Sequence, residues 1–178
     1  MRQVTLPCQR RSITRPVTQR GATMVELAVT IMPILIFVFA TIDFGVAILM
    51  QNTAQSAVRA GARYAITSQT GISGGSPLGQ DASIREVVKS QSMGLLNHLL
   101  PLGDTMDQHI DIAFYDQITL QPVTGTGSNR AGNIVQVEIT GLSHLWMVPL
   151  VRGSSMFRIV ASSSDAMEAS PIGGPPPR

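Results

Sequence analysis

Two acidic residues bracket a strongly apolar run of the sequence. Glu26 precedes and Asp43 follows residues 27–42, which contain no charged side chain. A carboxylate in lipid costs about 3 kcal/mol even on lenient scales, so each acid must lie at the membrane interface or have a partner. Glu26 also stands five residues after Gly21, behind a leader in which every charged residue is an arginine. Residue type and spacing leave both placements open for each acid.

The sequence lacks the patterns that are typical of catalysis or metal binding. Its three histidines, His98, His109 and His144, do not have the helical spacing of metal ligands, and Cys8 is the single cysteine. No nucleophile elbow, phosphate-binding loop or dinucleotide fingerprint occurs. We therefore predict a protein that is not an enzyme and that binds no cofactor and no metal.

The positive charge of the chain is confined to its beginning. The residues after position 20 contain eight basic and eleven acidic side chains, so the high pI belongs to the leader and does not indicate nucleic-acid binding. Positive residues before a membrane helix stay on the cytoplasmic side, which predicts a periplasmic C-terminal part. The leader arginines are Arg2, Arg10, Arg11, Arg15 and Arg20.

The apolar run is long enough to cross a bilayer once. As a helix, residues 25–50 would span roughly 39 Å at ~1.5 Å per residue, more than the ~30 Å hydrocarbon core. Pro33 lies inside the run, removes one backbone hydrogen bond, and is expected to kink or loosen the helix. The sequence thus predicts a single-pass inner-membrane protein.

A cleavable secretory signal peptide is the alternative for this segment. The leader and the apolar run resemble its positive and hydrophobic regions. However, the run is longer than such a region, and the small residues suited to cleavage, at positions 54–57, come well after Asp43. The anchored form is the interpretation we follow.

Residues 20–26, Arg-Gly-Ala-Thr-Met-Val-Glu, resemble a type IV prepilin processing site. The resemblance implies that a membrane aspartyl peptidase cuts after Gly21, which frees the α-amine of Ala22 and removes the arginine leader. Glycine suits a scissile position because it enters a narrow active site easily in an extended form. The resemblance also implies that Glu26 pairs with the α-amine of a neighbouring subunit and so sets the axial register.

The similarity extends along the helix to four clusters in order: residues 21–28, 32–35 (Met-Pro-Ile-Leu), 42–45 (Ile-Asp-Phe-Gly) and 57–65. Together they resemble the TadE-like family, pseudopilins of the tight-adherence (Flp) pilus machinery. This resemblance implies that Glu26, Pro33 and Asp43 act in subunit register and assembly. The chain departs from the family in having Asp43 where glutamate is usual, and no basic residue soon after it.

The resemblance implies a minor pilin or pseudopilin that takes part in assembly of a type IVb-like pilus. Its expected partners are the prepilin peptidase, other pseudopilins, the major pilin, the inner-membrane assembly platform and membrane lipid. The chain would also be able to enter the extracellular pilus. A signal-anchored periplasmic binding module unrelated to pili is the alternative function.

Small residues recur at helical spacing after the apolar run, at Ala57, Gly61 and Ala65. They indicate that the helix continues to about Ile66 and that another backbone approaches it closely. This packing seam would contact either neighbouring pilus subunits or the protein's own domain.

The remainder of the chain predicts an α+β fold of the pilin type, in which a small antiparallel sheet packs on the long N-terminal helix. Ser83 and Glu86 match a capping box, which predicts a helix from about Ile84 to Pro101. Period-2 patterns near residues 110–115, 135–139 and 157–162 predict three strands. The apolar connection 142–151, with Trp146 and Met147, would be either buried or an exposed contact patch. We expect a leader over 1–21, the membrane and extended helix over 22–66, the periplasmic domain over 67–169 and a disordered tail over 170–178.

Overall fold

A computed structural model describes residues 19–73, 76–145, 156–170 and 173–178. The expected α+β architecture is confirmed: one long N-terminal helix precedes a small antiparallel sheet of three strands. In chain order the elements are α1 (Gln19–Ile66), β1 (Ile72–Ser73), β2 (Ser76–Pro77), α2 (Gln80–Gln91), short 3-10 helices at Leu95–Leu99 and Met106–His109, β3 (Ile110–Tyr115), β4 (Ile134–Leu145) and β5 (Met156–Ala166).

Helix α1 belongs to two compact units, one ending at Val38 and the other beginning at Phe39. In the described part of the first unit the large apolar side chains are mostly exposed, for example Met24 at 76% and Phe37 at 74%. The mean hydropathy of α1 reaches 2.4 in its most apolar stretch. Among the described residues, α1 is the one helix that is long and apolar enough to cross a membrane. The helix is consistent with a single-pass membrane anchor.

The second unit is organised by the sheet, whose strand order is β3-β4-β5 with both pairs antiparallel. Alternation along the strands turns one set of side chains inward, so that Ile112 lies opposite Val137 and Ile139 opposite Ala161. A bulge interrupts the β4–β5 register between Ile139 and Leu142. The inward-facing residues that are buried are Ile110, Phe114, Val135, Val137, Ile139, Leu142, Ile159 and Ala161.

The sheet forms one core with the C-terminal part of α1 and with α2. The buried side chains of α1 in this core are small, which leaves room for the larger side chains of the sheet and of α2. Gln51 on α1 also donates a 2.8 Å hydrogen bond to the carbonyl of Val160 in β5. From α1 the core includes Ala54, Ala57, Val58, Ala62 and Ala65, and from α2 it includes Ile84 and Val88.

The predicted bounds of α2 are wrong at both ends. The helix begins at Gln80, and Ser83 lies inside it instead of capping it. The Ser83 hydroxyl donates a hydrogen bond to the carbonyl of Gly79 and accepts one from the amide of Gly71, each at 2.8 Å. It ends at Gln91, since Met93 and Gly94 both adopt left-handed conformations (φ 49° and 73°), and a separate 3-10 helix follows.

Two further expectations concern the end of the chain. Strand β4 continues to Leu145, so the beginning of the predicted connection 142–151 is part of the sheet. Trp146 and Met147 lie outside the described residues. The sequence predicts disorder from residue 170, whereas residues 173–178, which we call the strap, lie against α2 and the loop before β4.

Candidate functional site

The predicted processing site lies in the first turn of α1. The helix begins at Gln19, so both Gly21 and Ala22 are helical, and Gly21 is exposed. A Cβ atom added to Gly21 would have no heavy atom within 4 Å. The structure thus leaves space around Gly21 for a partner.

Glu26 is exposed one turn further along the same helix. Its carbonyl oxygen accepts a 2.8 Å hydrogen bond from the Thr30 hydroxyl, but none of the ion pairs among the described residues involves its carboxylate. Its neighbours Val25 and Leu27 are each 65% exposed. A carboxylate on so apolar a surface favours a partner outside the chain if that surface enters lipid.

Pro33 is exposed in the middle of the apolar stretch and is accommodated inside α1 without ending it. Its ring nitrogen has no hydrogen, so the carbonyl four residues earlier, at Val29, lacks the usual helical donor. The adjacent Met32 and Ile34 are 65% and 56% exposed. The structure therefore places Pro33, like Glu26, on a surface that is open to a partner.

Asp43 has a different environment from Glu26. It is only 1% exposed, and its Oδ1 atom lies 3.9 Å from Nε2 of His144 on β4. Ala47, one turn further along α1, is also buried at 2%. The structure thus encloses this carboxylate within the protein's own domain, where it faces an imidazole.

Sequence reasoning missed His144 as the neighbour of Asp43. A signal was present: His144 follows Leu142 by two residues in a period-2 strand, and Leu142 is fully buried. A polar side chain on the core-facing side of a strand requires a partner. Asp43 is an acid in an otherwise apolar helix, and it is the side chain that His144 meets.

The packing seam is buried in the second unit. Ala57 and Ala65 are 0% exposed, and a Cβ atom on Gly61 would lie 2.5 Å from Cγ2 of Val88 on α2. The same atom would be 3.5 Å from a side-chain carbon of Val137 on β4. Of the two arrangements that the sequence left open, the structure has the intramolecular one, because these positions are filled by the protein's own domain.

Both ring nitrogens of His109 contact groups of the protein itself. Its Nδ1 lies 2.9 Å from the carbonyl of Thr140, and its Nε2 lies 3.2 Å from Asp104. Within the described ranges, no three His, Cys, Asp or Glu residues are grouped so that they could hold a metal ion. On the described part of α1 the exposed charged residues are Glu26 near its beginning and Arg59 and Arg63 towards its end, and Glu26 is the exposed acid.

Comparison with known proteins points to the same helix. Residues 21–63 match the family described as TadE-like protein. The match covers about a quarter of the chain, and it includes Gly21, Glu26, Pro33 and Asp43. No curated protein and no solved structure matches the chain significantly. Over residues 21–63, which form most of α1, this chain is similar to TadE-like proteins.

Proposed function

We propose that this chain is a minor pilin or pseudopilin that takes part in assembly of a tight-adherence pilus. TadE-like proteins are, at the level of the family, structural proteins associated with this pilus and are not known as enzymes. The observation that carries the proposal is the match of residues 21–63, because it falls on a helix that is apolar and exposed over its first half. In this proposal that half anchors the chain in the inner membrane, and the domain is periplasmic.

Processing would precede assembly. A prepilin peptidase cuts after Gly21, removes the arginine leader and leaves Ala22 with a free α-amine. The exposure of Gly21 and the open space around it support access by such a peptidase. Loss of the leader also removes the positive charges that hold the N-terminus at the cytoplasmic interface. The shortened helix is then able to move within the bilayer towards a filament.

Glu26 would guide the processed subunit into register. An ammonium group and a carboxylate are each costly in lipid, and pairing the α-amine of one subunit with Glu26 of its neighbour offsets much of that cost. The exposed position of Glu26 supports this role. Asp43 lies 3.9 Å from His144 of its own chain, which supports a role within the subunit. We propose that this contact holds the domain on α1, while the peptidase, the other pilins and the assembly platform act as partners.

The experiment that tests processing uses two glycines of the same helix. Expressed with a prepilin peptidase, the wild-type chain should begin at Ala22, and the Gly21→Val variant should keep its leader. Gly45→Val is the matched control, because a Cβ atom at either glycine meets nothing within 4 Å and the fold tolerates both. Sequencing of the mature N-terminus is the measurement. An intact leader on the wild-type chain would favour a signal-anchored binding module, and a start beyond Asp43 would favour a secreted protein.

A further inference from the structure

The strap is held by contacts with its main chain and with one of its side chains. The carbonyl of Pro177 accepts a 2.8 Å hydrogen bond from the amide of Gln80, the first residue of α2. The carbonyl of Pro176 accepts a 2.9 Å hydrogen bond from Nδ2 of Asn129. Proline has no amide hydrogen, so a triple-proline segment offers only acceptors along its backbone. The groove presents donors at both of these positions.

The donors of the groove belong to a buried network. Gln80 is 0% and Asn129 is 1% exposed, and the Asn129 amide group also donates to the side chain of Gln80. The Gln80 side chain in turn donates a 3.0 Å hydrogen bond to the carbonyl of Ala65 in α1. These hydrogen bonds orient both amide groups, although Oδ1 of Asn129 is buried without a hydrogen-bond partner among the described residues.

Arg178 is the recognised side chain. Its Nη2 lies 2.7 Å and its Nε lies 3.1 Å from Oδ2 of Asp81, and its Nη1 donates to the hydroxyl of buried Ser128 at 2.7 Å. Its guanidinium carbon lies 4.7 Å from the centre of the Phe114 ring. Only a planar guanidinium can make the forked contact and the ring contact together, so lysine is a poor substitute.

Gly79 shows that the groove is shaped for a chain at this place. Its φ of −62° is one that any residue adopts, so its backbone does not require glycine. A Cβ atom there would lie 2.6 Å from the carbonyl carbon of Arg178 and 2.9 Å from its oxygen. No side chain caps α2, and the carbonyl of Pro177 instead accepts from its first amide. The strap thus occupies the space that a side chain at position 79 would need, and it also accepts the hydrogen bond of the first amide of α2.

We propose that this groove is a recognition site for a proline-rich peptide with a following arginine, and that the strap is its resident ligand. The arginine is bound by Asp81, Ser128 and Phe114. The proline carbonyls accept hydrogen bonds from Gln80 and Asn129. A polyproline segment loses little conformational freedom on binding, which favours docking of so short a ligand. The site contains no residue of the exposed first half of α1 and does not require processing after Gly21.

The first test is hydrogen exchange on the full chain. In the wild type the amide of Gln80 should be protected, and in Arg178→Ala it should exchange about tenfold faster because the strap detaches. Gly79→Ala should have the same effect, since its methyl group occupies the place of the Arg178 main chain. Gly174→Ala is the control, because a Cβ atom there meets nothing within 4 Å. Equal protection of Gln80 in the wild type and in Arg178→Ala would overturn the proposal.

The second test supplies the ligand separately. The chain shortened after Gly174 should bind the peptide Gly-Gly-Pro-Pro-Pro-Arg, blocked at both ends, at least about tenfold more tightly than the full chain does, because its groove is empty. A peptide with alanine in place of arginine should bind about tenfold more weakly. Equal binding of the two peptides, or no binding to a folded shortened chain, would contradict the assignment. If the shortened chain does not fold, the exchange measurement on the full chain decides.

Discussion

At the scale of the residue, the two acids that flank the apolar run differ in their surroundings. The residue types and positions of the two acids do not distinguish them, and the sequence analysis assigned both to subunit register and assembly. The structure leaves Glu26 exposed and buries Asp43 against His144. Spacing could not separate them, because burial of Asp43 depends on a strand about a hundred positions further along the chain. In the single chain, Glu26 is therefore the one of the two acids that is exposed, and the role of both in assembly stays a prediction.

Replacements of Asp43 and of His144 should lower the free energy of unfolding by different amounts. His144→Leu removes the imidazole that lies 3.9 Å from a carboxylate that is 1% exposed, and it should lower the free energy of unfolding by about 2 kcal/mol. Asp43→Asn keeps a polar group of similar size and should cost about 1 kcal/mol. Denaturant unfolding of both single variants and the double variant measures the coupling. Fully additive losses would show that the two side chains do not interact.

At the scale of the element, α1 serves two environments with two kinds of residue. Large apolar side chains dominate its exposed first half, and alanine and glycine dominate the part that packs on the sheet. Helical spacing predicted the seam at Ala57, Gly61 and Ala65, and period-2 alternation predicted the three strands. The bounds of α2 could not be predicted, because the hydroxyl of Ser83 is used by residues outside the capping pattern.

Substitution of Gly61 tests the seam. Gly61→Val places carbon atoms where Val88 and Val137 already pack, and both neighbours are 0% exposed and cannot move aside. Overpacking of this kind should lower the free energy of unfolding by about 2–3 kcal/mol. Gly45→Val, in open space on the same helix, should change it by less than about 0.5 kcal/mol. Thermal or denaturant unfolding checks both variants, and equal stability of the two would contradict the packing described.

At the scale of the whole molecule, the fold class was predictable and the strap was not. Local periodicity shows which segments are helices and strands and which faces are apolar, and this was enough for the α+β architecture. The strap has a glycine- and proline-rich composition that is typical of disorder, yet Arg178 pairs with Asp81, 97 positions away. Such a long-range contact leaves no local pattern in the sequence.

Exposure of the first half of α1 predicts membrane retention of the whole chain. The wild type should stay in the membrane fraction after alkaline extraction. A chain with Leu35→Arg and Val38→Arg should leave it, because each arginine at the centre of a membrane helix costs about 3 kcal/mol. Release of the wild type under the same conditions would show that this helix does not anchor the protein.

The pairing of Glu26 with a neighbour's α-amine is tested most directly by subunit incorporation. In cells with the pilus machinery, the amount of this chain in cross-linked pilus assemblies should fall about tenfold for Glu26→Ala, because an unpaired ammonium group in lipid is costly. The mature N-terminus should still be Ala22. Glu168→Ala, which removes another exposed acid, should assemble as the wild type does. Normal incorporation of processed Glu26→Ala would contradict the account.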